Sequence, residues 1–277
     1  MSLNPDISII TLTKNDELGF QISAKSIYDQ KFKGVIEWLI IDGSKKTIFK
    51  KNFIYITDLY EKNNSNSEKI KISHIDMTEI GVNGIYSCMN YGLGIFLGKS
   101  VIFMNGGDSF YNSTSLKRLI QPLINKNFNK SVSFGQSQIV SKIGIDWLFP
   151  GDNLSNIKRW LKFFEPNHQT FIVTRDLALN SNFIVESKIS ADKFWKRKMI
   201  DIAENIFFIA SPVGKFYLEG YSSKRPNFKI LKSQLDDKYI SNLRKIIIFL
   251  KFLIPPILYK YFPYLMKIKS KIIDNIF

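Results

Sequence analysis

Apolar residues in this chain fall into short β-branched runs that stop abruptly at polar clusters. Ile7-Ser8-Ile9-Ile10-Thr11-Leu12 reads as a buried strand. It ends in Thr13-Lys14-Asn15-Asp16, a cluster suited to capping a helix through Ile22, Ser26 and Ile27. A second strand, Glu37-Trp38-Leu39-Ile40-Ile41, stops at Asp42-Gly43-Ser44. Strand, helix and strand within so short a span predict a βαβ unit and a parallel sheet. The polar run Asn63-Asn64-Ser65-Asn66-Ser67 reads as a loop tip.

The same pattern continues downstream. Gly84-Ile85-Tyr86-Ser87-Cys88-Met89-Asn90-Tyr91-Gly92 reads as a helix start, and Val101-Ile102-Phe103-Met104 as a strand ending at Asn105-Gly106-Gly107-Asp108. Polar residues therefore gather where strands end, the edge at which open α/β sheets bind ligands. No internal repeat occurs, and no linker rich in proline or glycine divides the chain before residue 230. The expected organisation is a catalytic domain over residues 1–230 and a basic amphipathic tail over 231–277.

In that tail, Ile246-Ile247-Ile248-Phe249-Leu250 and Phe252-Leu253-Ile254 are apolar, but Lys251 interrupts them and Pro255-Pro256 breaks a helix. A membrane-spanning helix needs about twenty mostly apolar residues, so the tail reads as interfacial, on anionic lipid headgroups. A basic helical pair packed on the first domain is the other reading. Basic residues run from Lys238 through Arg244, Lys245, Lys251, Lys260, Lys267, Lys269 and Lys271, and after Asp237 the only acid is Asp274.

Charge widens the set of partners. The net charge of +15 is compatible with nucleic acid, an anionic membrane or a negatively charged small substrate. No zinc finger, RNA-recognition signature or helix-turn-helix pattern supports nucleic acid, which stays the alternative carried by charge alone. An apolar fraction of 45% argues against wholesale disorder. The single cysteine, Cys88, excludes an intrachain disulfide and fits a reducing compartment. Met1 to Asp6 lacks the basic and apolar regions of a signal peptide.

Several strings resemble family 2 glycosyltransferases, in the right order from Ile7 to Ser223. Ile9-Ile10-Thr11 with Asn15, then Ile41-Asp42-Gly43-Ser44, is similar to that family's opening strand and I-D-G-G-S turn. Gly84-Ile85-Tyr86 with Met89-Asn90 and Gly92 resembles G-I-Y-D-A-M-N-x-G. Phe103-Met104-Asn105-Gly106-Gly107-Asp108 resembles F-L-N-x-G-D, a variant of the D-x-D metal motif. His168-Gln169 and Ala191-Asp192 match its H-Q and A-D elements. The likeness is nearest the subgroup that builds exopolysaccharide, colanic acid and O-antigen chains.

The resemblance implies a GT-A fold and an inverting, single-displacement glycosyl transfer from a UDP- or GDP-linked sugar. The acceptor it implies is a saccharide, commonly polyprenyl-linked, which places the chain in the cytoplasm against the inner face of the plasma membrane. Thr11, Asn15, Asp42, Gly43, Asn83, Gly84, Met89, Asn90, Asn105 and Gly107 would bind donor. Asp108 would hold Mn²⁺ or Mg²⁺, since a divalent cation between carboxylate and diphosphate stabilises the leaving charge. His168 and Gln169 would meet acceptor or diphosphate. Asp192 would be the base that takes the acceptor hydroxyl's proton, with a helix N-cap as its other reading. The chain departs from the family at Val82, Ser87 and Lys45-Lys46-Thr47, and at Glu219, where relatives carry a metal-binding histidine. Glu219 is expected to replace it. A catalytically inactive scaffold is a third reading of these departures.

Overall fold

The computed structural model describes residues 4–62, 69–152, 154–187, 190–218, 227–238, 240, 242–259 and 261–276. The expected loop tip at Asn63–Ser67 and the expected metal ligand Glu219 lie outside the described residues.

Strand β1 (Ile7–Thr13) leads through α1 (Glu17–Tyr28) to β2 (Ile36–Asp42), and α2 (Lys46–Lys62) leads to β3 (Ile70–Asp76). All three strands pair in parallel; β1, α1 and β2 form the βαβ unit the sequence predicts, and β3 extends it without such an expectation. Asp16 caps α1, its Oδ1 accepting from Gly19 N at 2.9 Å. The chain then passes α3 (Met77–Ile80) and α4 (Ile85–Ile95) and returns on the other side of β1 as β4 (Ser100–Phe103), again parallel. That reversal of strand order opens a crevice beyond the C-terminal ends of β1 and β4.

The second half extends the sheet. It comprises β5 (Ser109–Phe110), α5 (Ser115–Asn125), β6 (Ser131–Val140), β7 (Trp147–Phe149) and α6 (Ile157–Leu161). A 3₁₀ turn (His168–Thr170), β8 (Phe171–Thr174), α7 (Arg175–Ala178), α8 (Ala191–Ile202) and β9 (Asn205–Tyr217) follow. The strands form one mixed sheet in the order β3-β2-β1-β4-β8-β6-β9-β5, with β7 on β6. The tail is helical: α9 (Phe228–Leu235), α10 (Asn242–Leu253), α11 (Pro256–Tyr259) and α12 (Phe262–Ile276).

Helices cover both faces of the sheet, so its central strands are apolar on both sides rather than alternating with polar residues. Ile7, Ile9, Trp38 and Ile40 pack under α1 and α5 through Phe20, Ile27, Leu119 and Leu123. Ile10, Leu12, Leu39 and Ile41 face the other layer, where α4 supplies Met89 and Leu93 and α8 supplies Trp195 and Met199. Ile273 of α12 joins this second cluster, so the end of the tail is docked on the sheet domain.

Candidate active site

Three loops meet at the crevice. The first is the turn after β4, held rigidly by backbone bonds. Gly106 N donates to Leu12 O at 2.8 Å, and Gly107 N donates to Gly19 O at 2.9 Å. Ser23 Oγ, from α1, lies 2.9 Å from Asn105 O and 2.7 Å from Asp108 O. Gly107 has φ +93°, a left-handed conformation that a side chain would strain. The backbone position of Asp108 is therefore set by main-chain geometry.

The second loop carries His168. Its Nε2 lies 2.9 Å from Asp108 Oδ2 and 3.2 Å from Asn105 Nδ2. One imidazole nitrogen cannot donate to the carboxylate and accept from the amide at once. With Nε2–H given to Asp108, Asn105 turns its Oδ1 toward the ring. In either amide orientation one Asn105 polar atom is buried without a partner, and Thr13 Oγ1, Asn167 Nδ2 and Gln169 Oε1 are buried and unpartnered as well. Buried polar groups normally have partners, so a cluster left open at one strand edge is a place for a polar ligand.

The third loop is the start of α8. Asp192 is the second residue of that helix, and Ser190 occupies the capping position. The capping reading of Asp192 is therefore excluded. About a quarter of its side chain is exposed, while the Lys196 ammonium, one helical turn on, is 5% exposed and 3.4 Å from Asp192 Oδ2. Lys196 Nζ also donates to Pro166 O at 2.7 Å, which ties α8 to the strand of chain leading into His168. Burial pushes the Asp192 carboxyl up, but Lys196, His168 and Lys193 pull it further the other way, and the net value lies below the ordinary 3.8. Burial and the neighbouring Asp192 charge raise the Tyr86 phenol, which lies beside the start of α8. Asp108, His168, Asp192 and Tyr86 thus form one connected patch drawn from four elements.

The remaining expected donor residues divide. Asn83 and Gly84 are exposed at the N-terminus of α4. Gly84 has φ 95° and ψ 143°, and no side chain caps the helix there. Asn15 joins the β1 and β2 ends, accepting from Lys45 N at 2.9 Å and donating its own N–H to Ser44 Oγ at 2.7 Å. Gly43 N donates to Thr13 O at 2.9 Å, which closes the same edge. Thr11, by contrast, is fully buried and its hydroxyl accepts from the Trp38 indole at 2.9 Å. Met89 is a core residue at 2% exposure, and Asn90 latches the Phe183 backbone through both ends of its amide. Gln169 is buried, with Nε2 3.5 Å from Lys215 O.

Asp42 has no exposed surface. Its carboxylate accepts from Ser44 N at 2.8 Å and Asn52 Nδ2 at 2.8 Å, with His74 Nε2 at 3.0 Å. Burial raises this carboxyl, and the bonds to His74, Ser44 and Asn52 more than offset it, leaving it below the ordinary value. The His74 ring stacks on Phe49 with centroids 4.1 Å apart. Asp42 in this structure braces the turn after β2. The sequence reading assigned no role to His74, Asn52, Lys196, Ser23 or Tyr86. Two of these carried a local signal: Tyr86 lies in the G-I-Y string, and Lys196 stands four residues from Asp192 on a helix.

No protein-family model matches the chain, and no curated protein matches it. Solved structures do. Residues 1–349 of S. aureus TarS, in complex with UDP-GlcNAc, are 18% identical over 94% of this chain and 73% of that one, with a TM-score of 0.59. The UDP complex of the same TarS fragment is 17% identical over 89% of this chain and 69% of that one, at a TM-score of 0.57. The mannosyltransferase PcManGT from Pyrobaculum calidifontis, in complex with GDP-Man and Mn²⁺, is 12% identical over 99% and 74%, at 0.53. This likeness establishes the fold: the chain has the α/β GT-A architecture that its motifs imply, with helices after the sheet domain.

Proposed function

We propose that this chain transfers a sugar from a nucleoside-diphosphate donor to a saccharide hydroxyl, with inversion at the anomeric carbon. The observation that carries the reading is the convergence of Asp108–His168 with Asp192–Lys196–Tyr86 at the strand-order reversal, beside buried polar groups that lack partners. The fold shared with proteins crystallised with UDP-GlcNAc and GDP-Man supports a nucleotide-sugar donor.

In this reading, backbone amides at the uncapped N-terminus of α4 face the diphosphate. Asp192 accepts the acceptor's hydroxyl proton as the oxygen attacks the anomeric carbon. A bond forms from that oxygen to the anomeric carbon, the bond to the diphosphate oxygen breaks, and UDP or GDP leaves with the electron pair. Lys196 keeps Asp192 ionised. The Asp108 carboxylate would hold Mn²⁺ or Mg²⁺ through oxygen, although no group of three or more acidic, histidine or cysteine side chains converges among the described residues. A single protein carboxylate would suffice for a cation held mainly by the donor's own phosphate oxygens. Such a cation would neutralise charge on the leaving diphosphate. The acceptor class in this proposal is a lipid-linked saccharide of surface polysaccharide synthesis, as in the O-antigen and exopolysaccharide enzymes that the motifs resemble.

Nucleotide binding is the direct test. UDP or GDP with Mn²⁺ should raise Tm, by the equivalent of about 2.7 kcal/mol at a hundredfold excess over Kd. If no nucleoside diphosphate stabilises the chain and none is released from any UDP- or GDP-sugar, the reading is wrong.

Lys196→Met separates the electrostatic role of that residue from a packing role. The folded Asp192 pKa lies below its unfolded value, so its ionisation contributes stability above 3.8 that is lost as pH falls through the folded value. Without the ammonium, burial acts unopposed by Lys196 and the carboxyl rises. The acid limb of the kcat/KM profile should move to higher pH, measured on the folded variant. An unmoved limb would assign Lys196 to packing alone.

A further inference from the structure

The tail presents a surface that neither the core nor the candidate site uses. One face of α12 is docked: Asp274 Oδ1 accepts from Gly151 N at 3.0 Å, Ser270 Oγ lies 3.5 Å from Leu148 O, and Ile273 enters the core. Its opposite face is bare. Tyr264, Leu265, Ile268, Ile272 and Ile276 are each more than half exposed. At about 100° per residue, these side chains form one stripe centred near Ile268, roughly opposite the docked residues. Lys269 falls at one edge of the stripe, and Lys271 and Lys267 fall at the other. Helix α10 repeats the pattern, with Ile246, Phe249, Leu250 and Leu253 exposed at i, i+3, i+4 and i+7.

Scattered exposed apolar residues are ordinary, but a helical stripe on each of the tail's two long helices is a liability unless something covers it. No helix among the described residues is long and apolar enough to cross a membrane. We propose that α10 and α12 lie in the plane of an anionic lipid surface, inserting these stripes while the flanking lysines reach the headgroups. Charge selects lipid over a second copy of the chain. The tail's one acid beyond Asp237, Asp274, is turned inward onto Gly151. A stripe-to-stripe dimer would set lysines against lysines, whereas an anionic leaflet complements them. The structure adds to the sequence expectation which apolar side chains face outward. Most of the attachment is apolar, and salt screens only part of it. This proposal does not rest on glycosyl transfer, because vesicle binding is measured without donor or acceptor.

Co-sedimentation of the full chain with vesicles of phosphatidylcholine and phosphatidylglycerol in equal parts, and of phosphatidylcholine alone, tests it. The wild-type chain should bind the anionic vesicles and retain a measurable fraction in high salt. Leu265→Asp and Ile268→Asp should each lower partitioning by about tenfold or more, since each removes a buried aliphatic side chain from the lipid. Changing Lys267, Lys269 and Lys271 to Gln should lower it by roughly fivefold per lysine, in low salt and on anionic vesicles only. All of these positions lie off the docked face, and thermal unfolding of each variant should match wild type. Partitioning that ignores the Asp substitutions, or that salt abolishes completely, overturns the insertion. So does a wild-type dimer in solution that the Asp substitutions dissociate and that binds no vesicles.

Discussion

Asp192→Asn should bind nucleotide about as well as wild type and transfer sugar about 10²- to 10⁴-fold more slowly, the usual worth of general-base catalysis. The substitution keeps the side chain's size but removes the proton acceptor. Asp192 lies inside the first turn of α8 with Ser190 at the capping position, so no loss of a helix cap enters the comparison. Lys196 loses its counter-charge, which makes a lowered Tm an expected side effect, although its bond to Pro166 O remains. Measuring nucleotide affinity and turnover on the same preparation separates binding from chemistry. Turnover near wild type would remove Asp192 as the base.

Asp108→Ala should lose metal-dependent nucleotide binding and slow turnover by about 10³-fold or more, because the charge on the leaving diphosphate then has no carboxylate-held cation. The fold should survive. The turn at residues 105–108 is held by backbone bonds to Leu12 and Gly19 and by Ser23, and none of these uses the Asp108 side chain. Its one side-chain partner among the described residues is His168, and losing that charge-assisted bond costs about 1–3 kcal/mol. Circular dichroism and thermal unfolding should therefore show a folded protein, while Mn²⁺ no longer enhances the nucleotide-induced rise in Tm. Wild-type turnover in such a variant would dismiss the metal assignment.

Much of the first half was legible because its signals are local. The strand at Ile7–Leu12, the Asp16 cap and the parallel β2 follow from apolar runs, a capping side chain and a short crossover. Strands β6 and β9 drew no such expectation. Strand β6 buries Ser131, Ser133 and Ser137, which give no apolar run, and it pairs in parallel with β9 far away in the chain. The tail was read as an amphipathic surface segment from its interrupted apolar stretches. Its exposed stripes bear out the amphipathic part, whereas the docking of Ile273 and Asp274 depends on where β7 and Gly151 lie.

The sequence by itself determined which strands end in polar turns, that glycines flank Asp108, and that an aspartate opens an aromatic helix at Ala191. These are properties of neighbouring residues, governed by local sterics and periodicity. Partnership was decided by the tertiary structure alone. The antiparallel placement of β8 beside β4 brings His168 to Asp108, residues sixty positions apart in the chain. Pairing of β3 with β2 sets His74 on Asp42, which turns an apparent ligand contact into a buried brace with no exposed surface. Whether a carboxylate is a site or a strut depends on what surrounds it, and non-local strand order assembles those surroundings.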